Sequence, residues 1–378
     1  MRSPRRDLAS ETPFATIDLG RVRSNLERVK SYIHAHGLRW RPHVKTHKSP
    51  VLARLQLEAG AHGLTVATPR EAEVMAQVSD DLLLAHPPVG PKAARIMTLP
   101  SRVHLKVAID SEAALRHLAR AAAAAARPVG ILVEVDVGMG RVGVHSPEEA
   151  LRLARLVPDL GAPLTWEGIL FYPGQVRSKL PERMEGIRAA SERLGAFLEI
   201  LESSGLPPKV VSGGSTPTLY ESHLFEGVTE IRPGTCIFHD RDMVELGVAR
   251  PSDVAYWVEA SVVSVARPGH LVVDAGSKAL SKEEFRGGGA GYGLLPDLPG
   301  ARLRALSEEH GIIELGLEVE PPEIDSRVRI IPNHVCVSVN LQDRLRVVEG
   351  DRAPGWLQLP ARGRMPFHGG DDLEGSRL

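Results

Sequence analysis

Residues 129–173, VGILVEVDVGMGRVGVHSPEEALRLARLVPDLGAPLTWEGILFYP, contain one complete structural unit. Residues 129–138 and 164–173 are apolar, β-branched runs bounded by glycine and proline, the pattern of strands buried on both faces. Between them, Ser146-Pro147 marks a helix start, with a serine to accept from the first turn and proline at the first helical position. Residues 146–158 then read as helix. Strand, helix, strand predicts parallel pairing through a crossover. The rhythm extends both ways. Upstream lie β-rich runs near 38–47, 63–68, 81–87 and 104–110, with a helix over 111–126 opened by Ser111. Downstream lie 209–213 and 228–234. About eight such units predict an α/β chain built as a (β/α)8 TIM barrel, or else a large doubly wound sheet.

The flanks differ. Phe14 to Leu19 alternate as a strand, and Val22, Leu26, Val29 and Ile33 follow at helical spacing until Gly37. After about residue 250 the runs AYWVEASVVSVA, HLVVDAG, RVRIIPNHVCVSVNL and LRVVEG are β-rich without clear helices between them, which predicts a separate all-β domain. The tail from Gly369 is polar and glycine-rich and reads as disordered. Over 378 residues, Lys+Arg total 46 and Asp+Glu 47, a balance that argues against a nucleic-acid or polybasic membrane binder. No apolar run approaches the ~20 residues of a spanning helix. The basic N-terminus has no apolar stretch after it to make a secretion signal. With two cysteines, Cys236 and Cys336, a disulfide framework is excluded and a cytoplasmic protein is expected.

Active sites of parallel barrels lie at the C-terminal strand ends. Those ends carry Pro42-His43-Val44-Lys45-Thr46-His47-Lys48, Gly138-Met139-Gly140-Arg141-Val142-Gly143, Phe171-Tyr172-Pro173-Gly174, Ser212-Gly213-Gly214-Ser215-Thr216 and Arg232-Pro233-Gly234-Thr235. Glycine-rich turns with hydroxyls at the seventh and eighth strands form a phosphate cradle in such barrels; the plain alternative is a tight turn with a helix cap. Lys45 is either a solvated charge or a Schiff-base lysine. An extended segment would put His43, Lys45 and His47 on one face. A phosphate cradle plus a lysine on another strand points to pyridoxal phosphate, which needs an amine for its aldehyde and a cradle for its phosphate.

These stretches, with DAGSKALS (274–281), EEHG (308–311) and PNHVCVSVNL (332–341), follow one another in an order that resembles the fold-type III pyridoxal-phosphate enzymes. The resemblance is to the D-threonine aldolase / D-serine dehydratase group with its alanine racemase-like barrel. It implies an N-terminal strand (1–19) joining the β domain, a cofactor-binding barrel (20–250), a C-terminal β domain with a metal site (251–368) and a tail (369–378). It implies that Lys45 holds the cofactor aldehyde, and that Arg141 contacts the ring-hydroxyl side. His43, Tyr172 and the two turns (Ser212, Gly213, Gly214, Ser215, Thr216; Gly234, Thr235) complete the cofactor site. It also implies a homodimer with sites near the interface.

His334-Val335-Cys336 reads two ways. On a strand the two side chains share a face and reach one ion; the plain reading is a buried cysteine beside a satisfied histidine. The resemblance implies a divalent metal here that binds the substrate's β-hydroxyl, with His-x-Cys the habit of the dehydratases and His-x-Asp that of the aldolases. A thiolate suits zinc, with manganese the alternative. The implied function is a lyase acting on small β-hydroxy-D-amino acids: a dehydratase giving a 2-keto acid and ammonia, or an aldolase giving glycine and an aldehyde. Gln175 and Cys236 depart from the family pattern, where a histidine and an aromatic are common, and leave substrate choice open.

Rival readings are weaker. Gly138-x-Gly140-x-x-Gly143 fits a dinucleotide fingerprint, but its helix opens too late, at Ser146. His43-x-x-x-His47 has metallohydrolase spacing, but Pro42 opposes a helix. A non-enzymatic pyridoxal-phosphate protein is opposed by the additional β domain.

Overall fold

The computed structural model describes residues 11–285, 290–316 and 319–367. The expected disordered tail lies outside the described residues. The chain divides into two compact units, one of residues 11–25 and 237–359, the other of residues 26–236 and 360–367.

Strand β1 (Phe14–Asp18) belongs to the first unit. The second unit holds eight parallel strands: β2 (Arg39–Trp40), β3 (Leu64–Val66), β4 (Asp81–Leu84), β5 (His104–Ile109), β6 (Val129–Val135), β7 (Leu164–Phe171), β8 (Val210–Gly213) and β9 (Glu230–Ile231). They hydrogen-bond in the order β2-β9-β8-β7-β6-β5-β4-β3. A parallel bridge between His43 and Thr65, with the Thr65 amide donating to the Pro42 carbonyl at 2.9 Å, closes the ring between β2 and β3.

Strand alternation sorts the core. Leu83, Ala108, Leu132, Leu170 and Val210 form one buried cluster. Their chain neighbours Leu82, Leu84, Val107, Ile109, Ile131, Val133, Ile169 and Val211 belong to a second, with helix residues such as Leu115, Leu118, Leu153 and Val157. The caps read from sequence are present. Ser111 accepts from the Ala114 amide to open helix Glu112–Ala124, and Ser146 accepts from the Glu149 amide to open helix Pro147–Asp159.

A buried polar network ties the strands that close the ring. Arg41 Nε lies 3.1 Å from both Glu230 oxygens, and its Nη1 is 2.7 Å from Asp81. His62 Nε2 is 2.9 Å from Glu230, and the Ser212 hydroxyl donates to the same carboxylate at 2.6 Å. Burial alone would raise the Glu230 carboxyl. Its bonds to His62 and Ser212 and the Arg41 charge outweigh burial and hold it well below the usual carboxylate range.

The first unit is a mixed nine-stranded sheet. Within it, β1 pairs antiparallel with β10 (Tyr256–Ser264) and parallel with Arg344–Val348. The β domain expected after about residue 250 is present, but the β-rich run that carries His334 does not continue as a strand. Residues 335–341 are a helix, Val335–Leu341, and shorter helices cover Ser277–Leu280 and Arg241–Glu245. Val335, Ser338 and Val339 face inward at helical spacing, and the Ser338 hydroxyl lies 2.7 Å from the Tyr256 hydroxyl and 2.8 Å from the Ala279 carbonyl. Among the described residues no helix is long and apolar enough to cross a membrane.

Candidate active site

The segment after β2 is not extended. Val44–Thr46 form a 3-10 turn, so His43, Lys45 and His47 do not share a face as parity predicted. His47 is fully buried. Its Nε2 meets Gln56 Oε1 at 3.0 Å and its Nδ1 accepts from the Ser49 amide at 3.1 Å, so both ring nitrogens are committed and the metallohydrolase pairing fails. Burial pushes the His47 imidazole down to about 4. His43 is also held well below its ordinary value, first by burial and then by the charges of Lys45, Arg232, Lys48 and Arg141. It is therefore neutral at physiological pH.

Lys45, Arg141 and Tyr172 come together. The Lys45 ammonium lies 5.9 Å from the Tyr172 ring centroid and the Arg141 guanidinium 4.8 Å from it. Arg141 hangs on a loop held by its own chain. The Asp136 carboxylate accepts from the amides of Gly138, Met139 and Gly140 at 2.8–3.2 Å. Those are amides a dinucleotide pyrophosphate would require, so the fingerprint reading has no support here.

The two glycine turns differ in what they leave open. The Ser212 hydroxyl is committed to Glu230, and Ser215 Oγ sits 3.0 Å from Thr218 Oγ1. The Thr216 hydroxyl is buried and has no hydrogen-bond partner. A Cβ on Gly213 would stand 2.1 Å from the Phe171 ring, and one on Gly234 2.7 Å from Thr46 Oγ1 and 2.9 Å from the His43 carbonyl. The second turn thus packs directly on the segment that carries Lys45. Gly214 has φ +80°, a conformation glycine adopts without strain.

Two further buried charges belong here: Arg232, which opens the turn after the eighth strand, and Glu134 of β6. Arg232 Nη2 donates to the Phe171 carbonyl at 2.8 Å while its Nε has no partner, and burial pushes the guanidinium down to about 10. One Glu134 oxygen, Oε2, is likewise buried without a partner. Burial pushes this carboxyl up to about 7, against the pull of Arg232 and Arg141. The signal was available: Glu134 is the single charge in the apolar run 129–135. Gln175 donates to the Val137 carbonyl at 2.9 Å, and Cys236 is buried.

In the other unit, His334 and Cys336 are not on a strand. His334 is the extended residue preceding helix Val335–Leu341 and Cys336 lies in its first turn. The two side chains still interact. Asp240, fully buried, meets His334 Nδ1 at 3.1 Å. Burial would lower the His334 imidazole, but the Cys336 sulfur and the Asp240 carboxylate push it up to about 10. Among the described residues no group of three or more His, Cys, Asp and Glu side chains forms a metal cage. Glu309 pairs with Lys278 at 2.6 Å on the exposed surface.

Residues 17–242 match the alanine racemase N-terminal domain, and residues 255–348 match the serine dehydratase domain. The chain is 36% identical over 359 residues to the D-threo-3-hydroxyaspartate dehydratase of Delftia sp., a match spanning 88% of this chain and 92% of that one. The chain belongs to the D-threonine aldolase / D-serine dehydratase family of fold-type III pyridoxal-phosphate enzymes. A D-threonine aldolase of Arthrobacter sp. is 30% identical, with 93% of each chain covered. The solved D-threonine aldolase of Filomicrobium marinum superposes with a TM-score of 0.86 at 28% identity, over 93% of this chain and 96% of that one. One solved structure of a D-threo-3-hydroxyaspartate dehydratase is a cysteine-to-alanine variant in the metal-free form.

Proposed function

We propose that this protein is a pyridoxal-phosphate- and metal-dependent lyase that converts a small β-hydroxy-D-amino acid to a 2-keto acid and ammonia. The observation that carries the dehydratase reading is Cys336 beside His334, supported by 36% identity to a D-threo-3-hydroxyaspartate dehydratase across 88% of this chain.

The barrel residues fit the cofactor. The unpartnered, buried Thr216 hydroxyl in the Ser212–Thr216 turn suits a hydrogen bond to a phosphate oxygen. When bound, the cofactor ring withdraws electrons from the substrate Cα and acidifies its proton. Lys45 would hold the cofactor aldehyde, and its amine, when free, would serve as the base for the substrate α-proton. Tyr172 and Arg141 line the ring's surroundings, and neutral His43 keeps a further positive charge away from Lys45.

His334 and Cys336 fit a divalent ion of borderline softness, zinc or manganese, through imidazole nitrogen and sulfur. Held there, the ion would supply Lewis acidity to a β-hydroxyl leaving group. Homodimeric assembly and a cytoplasmic location are part of the same reading. The test is to incubate metal-loaded enzyme with D-serine, D-threonine and D-threo-3-hydroxyaspartate and identify products by NMR. A 2-keto acid with ammonia is expected. Glycine with an aldehyde as the main products would replace this reading with the aldolase one.

A further inference from the structure

We infer that Asp240 is a positioning residue for the metal centre: it fixes the ring of His334 and dictates which imidazole nitrogen faces the ion. The inference rests on the reading of His334 and Cys336 as metal ligands and concerns a residue 94 positions away in sequence.

Asp240 is fully buried, and both its oxygens are used. Oδ1 accepts from the Met243 amide at 3.0 Å and caps helix Arg241–Glu245. Oδ2 lies 3.1 Å from His334 Nδ1 and accepts from the Val335 amide at 3.0 Å. One oxygen therefore grips the imidazole and the backbone of the next residue together, where the ligand-bearing helix begins. His334 sits before that helix in an extended conformation and its side chain makes no capping bond, so its ring is available to be aimed.

An ionised carboxylate only accepts hydrogen bonds. Nδ1 must then carry the proton, which leaves the Nε2 lone pair for a cation. The same contact makes the imidazole a stronger donor and restricts its rotation. Carboxylate partners of this kind are worth about 10- to 100-fold in metal affinity. A purely structural cap at Asp240 would need only Oδ1; the second oxygen, shared between ring and backbone, has no capping role toward helix Arg241–Glu245.

The experiment uses the cofactor-loaded full chain with Zn2+ and Mn2+ as probes. Asp240→Asn keeps the size and capping ability of the side chain but offers His334 a neutral amide in place of the charged acceptor. The variant should bind both ions about 10- to 100-fold more weakly, with the visible cofactor band intact. In the Zn2+-loaded wild type, 15N NMR of His334 should show the metal on Nε2 and the proton on Nδ1. Unchanged affinity in Asp240→Asn overturns the inference, and so does metal on Nδ1 in the wild type, a result that stands even if the variant fails to fold. A His334→Ala variant with wild-type affinity would instead remove the metal reading itself, so the two failures are separable.

Discussion

Thr216→Val replaces a hydroxyl by a methyl of nearly the same shape at a buried site, and its effect should have opposite signs in the two states of the enzyme. In the cofactor-free chain Thr216 Oγ1 has no partner and its residue is 4% exposed. An unsatisfied buried polar group costs about 1–3 kcal/mol, so the valine variant should be at least as stable as wild type. If this turn holds the phosphate of pyridoxal phosphate, the hydroxyl would donate to one of its oxygens, and a hydrogen bond to a charged group is worth about 1.5–3 kcal/mol. At about 1.4 kcal/mol per tenfold, that is roughly 10- to 150-fold in affinity. The measurement is a fluorescence titration with pyridoxal phosphate in a Lys45→Ala background, where the phosphate grip is read without the covalent link. Thermal melts of the cofactor-free proteins accompany it. Equal affinity would refute the placement of the phosphate at this turn. A clear drop in cofactor-free stability would show that the hydroxyl is already satisfied.

Borohydride reduction of the holoenzyme should fix the pyridoxyl label on Lys45, and mass spectrometry finding it on another lysine would refute the central assignment. Glu230→Gln should cost about 1.5–3 kcal/mol in urea unfolding, because buried Arg41 loses one of its two carboxylate partners and keeps Asp81. The wild-type Glu230 carboxyl is held below its ordinary value, so its contribution is present above about pH 4.5 and is lost as pH falls below that. The variant should therefore show a shallower acid dependence in the same assay. Cys336→Ala should lower the metal content measured by elemental analysis while leaving the visible cofactor band; unchanged metal content would make Cys336 a packing residue.

The barrel was legible because its signals are local. Ser111 and Ser146 announce their helices within three residues, and the apolar runs of β5 to β7 are long enough to leave little choice. The 3-10 turn at Lys45 was not legible. Nothing in PHVKTHK excludes an extended chain, and the turn is fixed by contacts remote in sequence, such as the His43 amide donating to the Pro233 carbonyl. The helix Val335–Leu341 misled for a different reason. Val335, Val337 and Val339 alternate with smaller residues and carry strand propensity, yet the buried set is Val335, Ser338 and Val339, which only a helix brings to one face. Asp240 stood in plain view in FHD, but its partner is 94 residues away, and no periodicity links them. Glu134, by contrast, could have been found as a lone charge in a run otherwise buried on both faces.

The ring of eight strands has a seam, and the seam is the Lys45 segment: residues 42–43 supply the bridge to β3, and the turn that presents the lysine begins at the next residue. Ring closure and presentation of the lysine therefore depend on the same few residues. A chain that misplaces this segment leaves the facing edges of β2 and β3 unpaired, and unpaired edges invite pairing with another chain.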